Sequence, residues 1–376
     1  MDAFMKPKTW IMNRMQYKIL NHFGHNVKRS LYSRFFSRLA RKIVGGYIYS
    51  VKLEINELCS LHCKMCYVNN KNRELPLWMI KRILNQLKSY KIRLEILGGE
   101  PLLRNDIVEI IQYARYKSKI PFISLYTSGI NITTQLANNL KRAGLDAIVV
   151  TLISHNNKIH DNFTGTSGSW DKCVKGIRIC REAGINTYTF TAIHGENLKD
   201  YQKIYDFVKN ELRVHALFYQ YIPQHPNDPL MIDPKIWHQI KHWIMYEKNP
   251  EHSRFVRDFY LLTGSACSGG NFVLTIKADG SVQPCPFIYN LSLGSIYENS
   301  IWGIYRNRFN VKELKEFKSV PEECKSCTYQ SVCAGGCKAG NDKLYGDYSR
   351  KDHRCLGPYA EKFDAEKVID RVPSFF

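Results

Sequence analysis

The stretch "CSLHCKMCYV", Cys59 to Val68, carries three cysteines spaced CxxxCxxC, and no fourth cysteine follows in the loop. Three thiolates on one short loop can hold three corners of a cubane [4Fe-4S] cluster. A closed cluster or a structural zinc normally takes four ligands. The spacing therefore implies an iron with one open position. A zinc reading would need a fourth ligand, and His62 within the loop supplies a candidate. Immediately upstream, "YSVKLEI" reads as a strand, so the cysteines lie in the loop after it.

Outward from that loop, apolar strands alternate with amphipathic helices. Leu77 to Tyr90 reads as a helix, "IRLEIL" as a strand, Asp106 to Tyr116 as a helix and "PFISLYT" as a strand. A helix near Thr133 to Arg142, the strand "DAIVVTLI", a helix from Ser169 to Ala183, the strand "NTYTFTAI", a helix after Asn197 and the strand "VHALFYQYI" continue the series. Such alternation predicts an α/β fold with a parallel sheet, its site at the C-terminal ends of the strands. "PQHPNDP" (Pro223 to Pro229) breaks the rhythm, and from Cys267 the chain turns cysteine-rich and loop-rich. The expected divisions are a basic helical segment at 1–48, a barrel at 49–235, a helical bridge at 236–261, a cysteine-rich domain at 262–360 and a tail at 361–376.

The chain has 376 residues, enough for sizeable cores, and twelve cysteines without a secretory signal. Reduced, metal-binding cysteines in a soluble cytoplasmic protein are the expectation. The formal charge is +20, which favours anionic partners. In "KRSLYSRFFSRLARKIV" (Lys28 to Val44), Leu31, Phe35, Leu39 and Ile43 recur at helical spacing between Arg34, Arg38, Arg41 and Lys42. This is an amphipathic basic helix that packs on the main domain, makes peripheral membrane contact or acts as an organellar transit segment.

On its three-cysteine loop the sequence resembles the radical S-adenosylmethionine (radical SAM) enzymes, whose hallmark CxxxCxxC is matched by Cys59, Cys63 and Cys66. Further family marks follow in order: "GGEP" (Gly98, Gly99, Glu100, Pro101) after the second strand, "TSG" (Thr127, Ser128, Gly129) after the third, and Ser154 after the fourth. The segment "HDNFTGTSGSWDK" (His160 to Lys172) resembles the family's lead into the next helix. Met65 departs from the aromatic residue usual at its place. The resemblance implies a partial (β/α)6 TIM-like barrel, a [4Fe-4S] cluster on the three cysteines, and SAM held by the GGEP, TSG and Ser154 positions. It also implies reductive cleavage of SAM to a 5'-deoxyadenosyl radical that abstracts hydrogen from substrate.

The later cysteines resemble the seven-cysteine SPASM signature: Cys267, Cys285 in "GSVQPC", Cys324, Cys327, Cys333 and Cys337 in "CKSCTYQSVCAGGC", then Cys355. That resemblance implies two auxiliary [4Fe-4S] clusters. Cys324, Cys327, Cys333 and Cys355 would close one; Cys267, Cys285 and Cys337 would hold the other and leave its fourth ligand unassigned. Cys173 and Cys180 read as buried core residues, with a hydrogen-donor role as the sharper alternative.

The SPASM type leads to the expectation of a peptide substrate, modified by crosslinking, epimerisation or oxidation, with an electron donor such as flavodoxin or ferredoxin. The alternative is oxidation or rearrangement of a small molecule in cofactor or natural-product biosynthesis. A zinc- or cluster-bearing nucleic-acid-binding protein is the different-class alternative, disfavoured because the aromatics sit at strand spacing. Formylglycine formation is disfavoured by Pro286, where those family members carry an aspartate. About 48 residues before the barrel are too few for a winged-helix leader-recognition domain of the size such domains need. No catalytic side chain is assignable from sequence.

Overall fold

The computed structural model describes residues 48–68, 72–88, 90, 92–248, 267–327 and 330–356. The expected basic helix of the first 48 residues, with its membrane contact, lies outside them, as do the end of the helical bridge and the tail.

Six parallel strands run in sequence: β1 (Ser50–Glu54), β2 (Arg93–Leu97), β3 (Phe122–Thr127), β4 (Ala147–Thr151), β5 (Asn186–Ile193) and β6 (His215–Gln220). The helices Leu77–Leu87, Thr134–Arg142 and Ser169–Glu182, with shorter ones between, return the chain from each strand to the next. This is the expected partial barrel. Its two faces differ in kind because side chains alternate along a strand. Val51, Leu94 and Ile123 are in register, as are Leu53, Ile96 and Leu125. All six are fully buried and join Ile80, Ile83, Leu84 and Leu87 of the first helix in the main core. Each such side chain contributes on the order of 2 kcal/mol on burial. The opposite face carries Lys52, Glu95 and Ser124 in register, beside Tyr126 and Phe190.

The sheet does not stop at the expected domain boundary. β7 (Val273–Ile276) lies parallel to the other edge of β1, and β8 (Ser281–Gln283) and β9 (Gly294–Ser295) follow antiparallel. The order is β6-β5-β4-β3-β2-β1-β7-β8-β9. The cysteine-rich part therefore begins by extending the barrel sheet, which places Cys285 near the first cysteine loop. Local patterning could not reveal this, since strand pairing across more than 200 residues is a tertiary contact. That part also contains the helices Ile301–Asn307, Lys312–Lys318 and Lys338–Tyr345, where loops were expected. Between barrel and extension the chain forms the helix Pro234–His242, capped by Asp233 Oδ1 on the Lys235 N–H at 2.7 Å. Among the described residues no helix is long and apolar enough to cross a membrane.

Candidate active site and cluster-binding cysteines

The CxxxCxxC loop leaves β1 and is pinned from the side. The His62 N–H donates to Thr164 O and the Lys64 N–H to Phe163 O, each at 2.9 Å, and Lys64 Nζ lies 2.7 Å from Glu196. Met65 packs with Ile153, Phe163, Ala192, Tyr221 and Leu230, and the Tyr219 hydroxyl reaches its sulfur at 3.2 Å. A methionine there is accommodated by that apolar cluster. Burial pushes the Cys63 thiol up to about 12, with the thiolates of Cys66 and Cys59 adding to the shift. The three sulfurs are thus electrostatic neighbours. His62 is exposed.

The GGEP segment meets the same loop. The Gly99 N–H donates to Asn56 O at 2.8 Å and the Glu100 N–H to Leu58 O at 2.7 Å. A Cβ on Gly98 would stand 2.2 Å from Asn56 Oδ1, and one on Gly99 would stand 2.3 Å from Glu57 O and 2.4 Å from Leu58 O. The glycines are required by this backbone approach. Glu100 is fully buried. One carboxylate oxygen accepts from the Leu102 N–H and the Thr127 hydroxyl, the other from the Ser128 N–H and hydroxyl. Its acceptors are committed to joining GGEP to TSG. Gly129 sits at φ +82°, with its carbonyl in the notch left by Gly176, where a Cβ would come within 2.2 Å. Ser154 is buried and accepts from the Asn156 N–H at 3.1 Å, while its carbonyl takes the Trp170 indole N–H. The structure therefore brings the cysteine loop, GGEP and TSG together, with Ser154 at the end of the next strand.

Cys285 faces the barrel from the extension. Burial pushes its thiol up to about 12, and Cys267 and Cys337 add to the shift. Burial does the same to Cys333, with Asp352, Cys355 and Cys324 adding; Cys324 in turn feels Cys355 and Cys327. Two groupings of electrostatically coupled thiols result: Cys285 with Cys267 and Cys337, and Cys333 with Cys324, Cys355 and, through Cys324, Cys327. All twelve cysteines are free thiols. Among the described residues no three His, Cys, Asp or Glu side chains stand at single-ion spacing. Cys173 and Cys180 are fully buried in the main core.

Sequence reasoning missed the residues between the two cysteine sites. Lys277 directly follows β7 and donates to Glu54 Oε1 at 2.7 Å and to Pro286 O at 2.6 Å, with its ammonium 4.1 Å and 4.9 Å from the ring centroids of Tyr289 and Tyr67. Tyr67, next to Cys66, meets Phe287 edge-on at 4.7 Å. Deeper, Lys52 Nζ lies 2.6 Å from Glu95. Burial works against the Glu95 charge, yet Lys52 and Arg93 hold its carboxyl down at about 2. The signal was present in "SVKLE": charges at Lys52 and Glu54, two apart in an apolar strand, mark an inward-facing polar row.

Residues 53–208 match the radical SAM superfamily, and residues 267–328 match SPASM, an iron-sulfur cluster-binding domain. The chain is 26% identical over 336 residues to an AdoMet-dependent heme synthase of Methanosarcina barkeri, covering 81% of this chain and 95% of that protein. It is 25% identical over 343 residues to an Fe-coproporphyrin III synthase of the same organism, covering 79% and 85%. Among solved structures, SuiB of Streptococcus suis bound to S-adenosylmethionine superposes with a TM-score of 0.66 at 16% identity, covering 93% of this chain and 88% of that one. AdoMet-bound anSMEcpe gives 0.68 at 18% identity, covering 86% and 98%. These last two likenesses show the fold. The domains carry a SAM-binding [4Fe-4S] cluster, SAM and auxiliary iron-sulfur clusters. The nucleic-acid-binding alternative gives way to these matches. Carrying a radical SAM domain followed by a SPASM domain, the chain is a radical SAM enzyme.

Proposed function

We propose that the enzyme oxidises or rearranges a small molecule in cofactor biosynthesis, with a carboxylated tetrapyrrole as the substrate class. The observation that carries this reading is the similarity to a heme synthase and an Fe-coproporphyrin III synthase across both cluster domains rather than the barrel alone. The inward face supports it: half-buried Tyr126, Phe190 and Tyr219 offer ring surfaces opposite Lys52. A flat conjugated ligand suits such a wall, as aromatic pairs gain from offset stacking. The expected peptide substrate has only a shared fold behind it, that of SuiB and anSMEcpe, each also solved with a bound peptide.

In this reading Cys59, Cys63 and Cys66 hold the SAM-binding cluster, whose chemistry supplies a carbon-centred radical from SAM. Gly98 to Pro101, Thr127 to Gly129 and Ser154 shape the SAM pocket. Cys324, Cys327, Cys333 and Cys355 hold one auxiliary cluster, and Cys267, Cys285 and Cys337 the other. The basic balance of the chain suits a small acidic electron donor such as flavodoxin or ferredoxin. The test is anaerobic turnover of the fully loaded enzyme with SAM, reductant and either Fe-coproporphyrin III or short acidic peptides. Porphyrin-dependent 5'-deoxyadenosine with a mass change in the porphyrin is expected. Stimulation by peptide with none by porphyrin would reverse the assignment.

A further inference from the structure

Lys338 follows Cys337 at the start of the helix Lys338–Tyr345 and is 2% exposed. Its Nζ donates to Ser319 O at 3.0 Å and to Tyr348 O at 2.9 Å, both uncharged acceptors. Among the described residues no carboxylate lies within ion-pair distance of it. Asp347, an acid whose charge interacts with Lys338, is turned onto the N–H and hydroxyl of Ser349. The neighbouring buried cation, Arg354, has its own carboxylate, Asp352, at 2.7 Å. Lys338 is therefore a buried charge without a counter-charge of its own among the described residues, an arrangement that is costly. A Cβ on Gly335, in the turn between Cys333 and Cys337, would stand 3.1 Å from its Nζ, and the Ser319 carbonyl it bonds adjoins Lys318, whose Nζ donates to Cys267 O at 2.9 Å. Lys338 thus lies between segments that carry thiols of both groupings, and the charges of Cys267, Cys324 and Cys333 act on it.

We propose that Lys338 is the shared counter-charge of the two auxiliary clusters and sets their reduction potentials together. The inference rests on the assignment of the seven later cysteines to those clusters. Each reduction adds one electron, and thus one negative charge, to a site already rich in thiolate. A fixed cation beside it favours the reduced form and raises the potential. Because Lys338 lies between segments that carry thiols of both groupings, its removal lowers both potentials. Lys318 provides an internal contrast. Its Nζ donates to Cys267 O at 2.9 Å and Gly269 O at 3.1 Å, and Cys267 is the cluster thiol whose charge it feels. Its removal should move the three-cysteine cluster alone.

The test uses the full chain with Cys59, Cys63 and Cys66 changed to alanine, so that only auxiliary signals remain. Lys338→Met, Lys338→Arg and Lys318→Met are compared by iron content, by redox titration followed by electron paramagnetic resonance, and by thermal unfolding of the metal-free protein. Lys338→Met should lower both midpoint potentials, Lys318→Met one, and Lys338→Arg neither. Metal-free Lys338→Met should be at least as stable as its parent, because an uncompensated charge has been removed. Unmoved potentials in fully loaded Lys338→Met would overturn the proposal. So would a metal-free variant that unfolds well below its parent, which would make Lys338 a clamp on Ser319 and Tyr348. A parent that takes up no auxiliary iron would remove the cysteine assignment itself.

Discussion

Glu54 and Lys277 form an ion pair at 2.7 Å with 2% and 3% of their side chains exposed, joining β1 to the strand that extends the barrel sheet. The pair stands between the two cysteine sites, since Cys66 interacts with Glu54 and Cys285 with Lys277.

Burial pushes the Glu54 carboxyl up to about 7 against the pull of Lys277, and burial also pushes the Lys277 ammonium down. A folded-state pKa above the ordinary value of 4.5 means that Glu54 contributes stability below that pH and loses it as pH rises through about 7. Denaturant unfolding of the metal-free protein should show the parent losing stability relative to Glu54→Gln between those limits. Lys277→Met removes the pull that holds the Glu54 carboxyl down, so it should cost about 3 kcal/mol at pH 8, where the buried carboxyl must take up a proton against the pH, and less at pH 5.

Gly99→Ala places a methyl against two backbone carbonyls, Glu57 O and Leu58 O, neither on a flexible side chain. The expected cost is about 1–3 kcal/mol, with SAM binding lost as GGEP shifts from the cysteine loop. Gly184→Ala, which meets nothing within 4 Å but sits at φ +70°, should cost about 1 kcal/mol and leave SAM binding intact. Equilibrium dialysis of SAM on both variants measures the contrast.

Full loading corresponds to about twelve irons per chain if each thiol group takes a [4Fe-4S] cluster. Changing Cys59, Cys63 and Cys66 together to alanine should remove about four of them and all 5'-deoxyadenosine production. Changing Cys324 and Cys327 should leave SAM cleavage and reduce substrate turnover. Iron analysis and product chromatography read both outcomes.

Cys173 and Cys180 are fully buried in the helix Ser169–Glu182, and burial holds the Cys180 thiol up at about 12. A hydrogen donor must reach the substrate, whereas these two pack within the core. Alanine at either position should cost about 1 kcal/mol of stability and leave product formation unchanged. Loss of product with SAM cleavage retained would restore the donor role.

The order of strands and helices through β6 was legible because period-two and helical apolar spacing are local properties, and "NTYTFTAI" is β5 residue for residue. Cysteine spacing announced the cluster domains for a similar reason, since three ligands of a cubane can come from one short loop. Position across the chain was not legible. That β7 would pair with β1, that Lys277 would thereby reach Glu54, and that Glu100 would spend its carboxylate on Thr127 and Ser128 are long-range contacts. Lys338 looks in sequence like any lysine after a cysteine. Only folding buries it against the Cys333–Cys337 turn and the Ser319 and Tyr348 carbonyls, with no carboxylate at ion-pair distance among the described residues.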